Sequence, residues 1–238
     1  MKLGIMQPYL FPYLGYYSLI KYTDYFIFFD TPQYIRKGWI NRNRILSTNG
    51  ACTYFIVPIE KCRRETPINK VKIASDAEWR RKIFGQLTIY KKRAPYYDAV
   101  IDLVSDVVNS KTDSISQLAI SSIRKSCEFM GIALKCSIFS EMNLGHIEVN
   151  APDEWALKIT KEMKYDTYVN PPGGKSFFDS SKYAEQGIKL EFLSQNAVNY
   201  NQHIKGFQPD LSIIDVLMFC KPEEVRDMMK EYTIDRGE

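Results

Sequence analysis

The first thirty residues constrain the fold of this chain more than any other stretch. Lys2 to Met6 is a short apolar run that reads as a buried strand. It cannot continue, because Pro8 and Pro12 have no N–H to give to a strand ladder. Gly15 to Tyr22 then reads as a helix with Tyr16, Leu19 and Ile20 on one face, and Tyr25 to Phe29 as a second apolar strand closing at Asp30. Strand, irregular loop, helix, strand is the unit from which parallel sheets are built. The Gln7–Pro12 loop is thereby placed at the carboxyl end of a strand, where open α/β sheets hold ligands.

Strands and helices continue along the chain. Cys52 to Pro58 and Ala133 to Phe139 read as strands, as do Thr167 to Val169 and Ile188 to Leu193. Trp79 to Lys92, opening near Asp76, Ala94 to Val108, and Ser114 to Met130, ending at Gly131, read as helices with no strand between them. They predict a helical lobe over residues 76–131, inserted between the N-terminal and C-terminal strand sets. Asp153 to Lys164, Ser181 to Gln186, Ile213 to Phe219 and Glu223 to Glu231 read as further helices, so the chain is expected to finish helical, with its last four residues frayed. The expectation is one α/β domain over 1–238, Rossmann-like, with a mostly parallel sheet.

Composition excludes several classes. The formal charge of +4 on 238 residues suits an anionic ligand, yet no basic stripe or known module points to nucleic acid. No apolar run spans a bilayer and the N-terminus has no signal-peptide pattern, so a cytoplasmic protein is expected. The five cysteines (Cys52, Cys62, Cys127, Cys136 and Cys220) lack the spacing of a zinc or redox motif, and no metal site is assigned. No cofactor is identified.

Several segments carry side chains fit for chemistry. Gln7, Tyr9, Tyr13, Gly15 and Tyr16 surround the first loop, where helix-starting amides would face an anion. Tyr13-Leu14-Gly15-Tyr16 resembles, in position, the His-x-Gly-His of the nucleotidylyltransferase superfamily, with both histidines replaced. Tyrosine can donate to phosphate but supplies no imidazolium, so the likeness is to the fold more than to the reaction. Asp30 and Gln33 lead into Trp39-Ile40-Asn41-Arg42-Asn43-Arg44, a dense donor set beside a stacking ring. Asn170, Gly173, Gly174 and Lys175 form a Gly-rich loop without P-loop spacing. His203, next to Gln202, is the leading imidazole base, ahead of His146. Each segment also has a plainer explanation, such as packed tyrosines, an exposed hairpin, a Pro-Gly turn or a surface histidine. Asp210, Ser212 and Asp215 read as caps of the last helices.

Taken together, Met6-Gln7-Pro8-Tyr9, Pro12, Gly15-Tyr16, Asp24, Gln33-Tyr34, Trp39 to Asn43, Ala94 to Tyr97, Asn170-Pro171, Gly173-Gly174 and Leu211 to Leu217 resemble the WbqC-like family, in order along almost the whole chain. Thr31 stands where that family more typically has a second acidic residue after Asp30. The resemblance implies a product of surface-polysaccharide, especially O-antigen, gene clusters. It implies a transferase acting on a nucleotide-linked sugar, amino sugars included, with an acyl or aminoacyl donor. It carries over no catalytic residue. In that scheme His203 is the base, and Asn41 and Arg42 orient substrate. Two other functions stay open: nucleotidyl transfer, with Lys175, Arg42 and magnesium on phosphate, and a non-catalytic binding protein.

Overall fold

The computed structural model describes residues 1–76 and 78–236. Its centre is a six-stranded sheet made of β1 (Lys2–Met6), β2 (Tyr25–Phe28), β5 (Cys136–Ile138), β6 (Thr167–Asn170), β7 (Lys189–Gln195) and β8 (Tyr232–Arg236), in the order β5-β2-β1-β6-β7-β8. All neighbours are parallel except β7 and β8. From β1 the chain builds outward on one side through β2 and β5, then returns to build the other side through β6 and β7. This is the doubly wound, Rossmann-like arrangement, with its switch point between β1 and β6.

Side chains alternate across the strands, so the sheet is buried on both faces. Phe26, Phe28, Val169 and Leu193 join one core with α1 (Leu14–Tyr22), α3 (Tyr97–Val108), α4 (Ile115–Phe129), α7 (Ile213–Phe219) and α8 (Pro222–Met228). Leu3, Ile5, Ile27, Tyr168 and Phe192 join a second with α5 (Glu154–Glu162) and α6 (Ser180–Glu185). The helices α2 (Glu78–Leu87), α3 and α4 follow one another without a strand, as expected, and share the core on the α1 side of the sheet. Asp76 Oδ1 accepts from the Glu78 amide at 2.8 Å, and Gly131 takes a left-handed φ of 65° after α4, so both expected boundaries have their physical cause.

Two expectations are corrected, and one open reading is filled in. Residues 39–44, for which an exposed hairpin is the plainer reading, lead into β3 (Arg42–Leu46), which pairs antiparallel with β4 (Cys52–Ile56) as a separate two-stranded ribbon. The strand expected over Ala133 to Phe139 shrinks to the three residues of β5. The chain does not end helical: α8 stops at Met228, and β8 returns antiparallel along β7. Of the four residues expected to fray, Asp235 and Arg236 therefore lie in the sheet, and 237–238 lie outside the described residues. No helix among the described residues is long and apolar enough to cross a membrane.

Candidate functional site

At the switch point the chain leaves β1 through a loop that is fixed in an uncommon shape. Phe11 has a φ of 41°, which is costly for a bulky side chain, of order 1–3 kcal/mol. Four contacts from distant elements hold it there. The Phe11 amide donates to Ser122 Oγ on α4 at 2.8 Å. Its carbonyl accepts from Asn43 Nδ2 at 2.9 Å and from Ser212 Oγ at 2.7 Å. The Leu10 carbonyl takes the other Asn43 Nδ2 bond at 3.1 Å. Leu10 N reaches back to the Trp39 carbonyl at 3.0 Å, and Ile213 N to the Pro12 carbonyl at 2.9 Å. The loop is thus tied to β3, α4 and the start of α7.

These ties frame a cavity of about 460 Å³ over the carboxyl ends of β1, β6 and β7. Tyr9, Pro12 and Tyr13 line it from the first loop, Trp39, Asn43 and Arg44 from the ribbon, Pro171 to Gly173 from the turn after β6, Ser194 and Gln195 from β7, and Asp210 from the segment before α7. Arg44 supplies the cation. Its Nη2 donates to the Asp210 carbonyl at 2.9 Å, and its guanidinium carbon lies 5.6 Å from the Trp39 ring. Arg44 Nε is buried and has no partner among the described residues. Asp210 adopts a φ of 54°, a conformation Asp tolerates better than most residues. Burial first, then the Asp210 carboxylate and Tyr9, pushes the Tyr13 phenol above its ordinary pKa; burial alone does so for Tyr9. The cavity therefore offers ring faces, a fixed guanidinium and a carboxylate.

The sequence model of the WbqC-like protein family matches residues 7–227. The chain belongs to the WbqC-like family. It is also similar to the uncharacterized protein Rv1507c of Mycobacterium tuberculosis, with 23% identity over 218 residues that cover 91% of this chain and 92% of that relative. No solved structure matches the chain significantly.

Within this WbqC-like fold, the residues singled out from sequence divide into two groups. Tyr9, Tyr13, Tyr16, Trp39, Asn43 and Gly173 line the cavity. Tyr16 does so as a buried wall, because its hydroxyl is committed to the Gln7 carbonyl at 2.9 Å, which also fixes Gln7. Gly15 sits in the expected place for a different reason. A Cβ there would lie 2.5 Å from Tyr13 Cε2, so the missing side chain makes room for the tyrosine ring.

The others serve neighbouring scaffold. Asn41 accepts from Tyr34 Oη at 2.7 Å and donates to the Val57 carbonyl at 2.8 Å, which uses its amide inside the core. Arg42 donates to the Gly38 carbonyl at 3.2 Å and to that of Lys37, and lies over the Tyr54 ring. Asp30 is buried and receives the Ser140 amide at 3.0 Å and hydroxyl at 2.6 Å. Gln33 is exposed and bridges Pro67. Asn170 accepts from Tyr168 Oη at 3.0 Å, and its amide occupies the space a Cβ on Gly174 would need. Lys175 pairs with Asp235 on β8. Gln202 is buried and bound to Asp215 at 2.9 Å. His203 is exposed, with a φ of 50°, and does not line the cavity. His146 is exposed beside Glu162.

Two groups went unread. Arg44 stood in the dense donor stretch, but nothing in one dimension separates it from Arg42. Strand alternation does not separate them either, because the two arginines share a face of β3; only the fold does, by carrying Arg44 to the segment before α7. Asp215, read as a cap, is a fully buried carboxylate that accepts from Tyr90 Oη and Tyr200 Oη, each at 2.5 Å, and from Gln202. Burial pushes its pKa up, opposed by those hydrogen bonds. Among the described residues no cluster of His, Cys, Asp and Glu has the make-up of a metal site.

Proposed function

We propose that the cavity at the switch point binds a nucleotide-linked sugar and that the protein is a transferase that modifies this sugar in surface-polysaccharide biosynthesis. The reaction proposed is acyl or aminoacyl transfer. One observation carries the proposal: a cavity of about 460 Å³ joins an aromatic wall to a guanidinium held in place by the Asp210 carbonyl. The volume falls within the range of small-molecule sites. Trp39 and Tyr9 offer faces for a base or sugar ring. Arg44 is of the type that binds phosphate through two parallel N–H bonds, and its Nη2 anchor on Asp210 orients the fork before ligand arrives. Membership of the WbqC-like family supports a role connected with polysaccharide synthesis.

The base assigned to His203 passes to Asp210. Of the described titratable side chains lining the cavity, a guanidinium is a donor without an acceptor site and the tyrosine phenols are pushed up, so neither type serves as a base. Asp210 is the remaining acceptor. Its exchange for Asn suits a test, because both residues tolerate the left-handed backbone found there. The purified protein is incubated with a panel of nucleotide amino sugars and acyl donors, and products are weighed by mass spectrometry. The expected result is a mass-shifted sugar with the wild type, and turnover lost while sugar binding persists in Asp210→Asn. Equal turnover by Asp210→Asn would remove Asp210 from the reaction, and no turnover or binding of any nucleotide sugar would contradict the function.

A further inference from the structure

A second cavity, of about 470 Å³, lies under the segment that runs from the end of β7 to α7. Tyr13, Gln195 and Asp210 line both this cavity and the first, so the two chambers meet at these three residues. Their chemistry differs. Arg44 gives the first chamber a cation, whereas among the described residues no Lys, Arg or His lines the second. Its walls come from Leu14, Val198, Phe207, Leu211 and Val216, with the amides of Asn196 and Asn199 among them.

The second chamber is also built ahead of any ligand. Gln202 and Gln208 close the covering segment on itself, with Gln202 Nε2 donating to the Gln208 carbonyl at 3.0 Å and the Gln208 amide to Gln202 Oε1 at 2.8 Å. Tyr200 Oη is anchored on Asp215 at 2.5 Å, and its ring meets Phe207 edge-on at 5.3 Å. A chamber with no described cation and with Asp210 at its edge does not suit a phosphate. Its mixed lining of aliphatic, aromatic and amide side chains suits an uncharged chain that carries a polar group for an amide.

We infer that the second chamber binds the acyl chain of an acyl thioester, the second substrate of the transferase, and presents its carbonyl at the junction formed by Tyr13, Gln195 and Asp210. The inference rests on the transferase function proposed above. An amine or hydroxyl of the sugar attacks the thioester carbonyl carbon; the new C–N or C–O bond forms and the C–S bond breaks. The Asp210 carboxylate takes the proton of the nucleophile and returns it to the departing thiolate, so the products are acylated sugar and free thiol.

The test uses the full chain, uridine diphosphate as the probe of the first chamber, and the butyryl thioester of N-acetylcysteamine, uncharged and free of nucleotide, as the probe of the second. Each is titrated by calorimetry, alone and with the other at saturation, into wild type and Ala197→Trp. Ala197 lines only the second chamber and is exposed, so a larger ring is accommodated at the chamber's rim without repacking the core. The expected result is simultaneous binding, with thioester affinity cut at least about tenfold by Ala197→Trp and diphosphate affinity changed less than about twofold. Displacement of the thioester by the diphosphate, or equal thioester affinity in the variant, overturns the inference. If the diphosphate binds and the thioester does not, the acyl chamber falls alone. If the thioester binds in the Ala197-sensitive way and no nucleotide binds, the chamber stands and the nucleotide-sugar function falls.

Discussion

Arg44 donates from Nη2 to the main-chain carbonyl of Asp210 at 2.9 Å, across 166 positions of sequence. The Arg44 carbonyl in turn accepts from the Ser212 amide at 2.9 Å, and Ser212 Oγ holds the Phe11 carbonyl at 2.7 Å. Three segments distant in sequence are locked together around one cavity. The guanidinium and the carboxylate-bearing residue are therefore placed by the fold rather than by a flexible loop, as a preorganised site requires.

Asn43 is the strongest test of that scaffold. It is buried, and its one amide nitrogen serves the carbonyls of both Leu10 and Phe11. Asn43→Ala leaves both acceptors without that donor and is expected to cost about 1–3 kcal/mol in unfolding free energy measured with urea. Nucleotide-sugar affinity should fall with it. An unchanged urea midpoint would show that the loop is held by other means.

Gly15→Ala separates binding from stability. Its methyl carbon would stand 2.5 Å from Tyr13 Cε2, so the ring must move, and that ring lines the cavity. Alanine is at the same time the better helix residue, by about 0.5–1 kcal/mol. The expected result is a loss of ligand affinity of about tenfold with thermal stability little changed. Unchanged affinity would mean that the Tyr13 ring does not shape the bound state.

Asp215 predicts a pH dependence. Burial raises its folded pKa above the ordinary 3.8, so the folded state binds the proton more tightly than the unfolded state does. The contribution of this group to stability is fully present below its unfolded pKa and is lost as pH rises through the raised folded value. Urea unfolding of wild type and Asp215→Asn across acid to neutral pH should show the wild-type advantage shrinking as pH rises. A constant or widening advantage would reverse the sign assigned to the shift.

His203 is expected to be dispensable. It is exposed and outside the cavity, and its φ of 50° can be kept by Asn. His203→Asn should keep turnover within about twofold. A large loss would return the imidazole to the reaction.

Much of the frame was legible because it rests on local signals. The apolar run of β1, the prolines after it and the apolar stripe of α1 specify a strand, a break and a helix without help from distant residues. For β3 the plainer reading is an exposed hairpin of solvated charge, whereas Asn43 is buried to satisfy loop carbonyls that only the fold brings near. β8 was missed because Tyr232–Arg236 is an edge strand whose pairing partner lies far away in sequence. At the site, Gly15 announced itself, but the cause was a ring packed against it rather than an anion. Asp210 read only as a helix cap, since its importance lies in meeting Arg44 and Tyr13 in space.

The most direct test of the central claim is calorimetric titration of uridine diphosphate N-acetylglucosamine into the wild type and Arg44→Ala. Loss of a charged hydrogen-bond donor to phosphate predicts affinity lower by about 1.5–3 kcal/mol, or roughly tenfold to more than a hundredfold. Binding to the wild type that falls by that amount in Arg44→Ala is the result predicted; no binding to the wild type, or equal binding to both proteins, would contradict it.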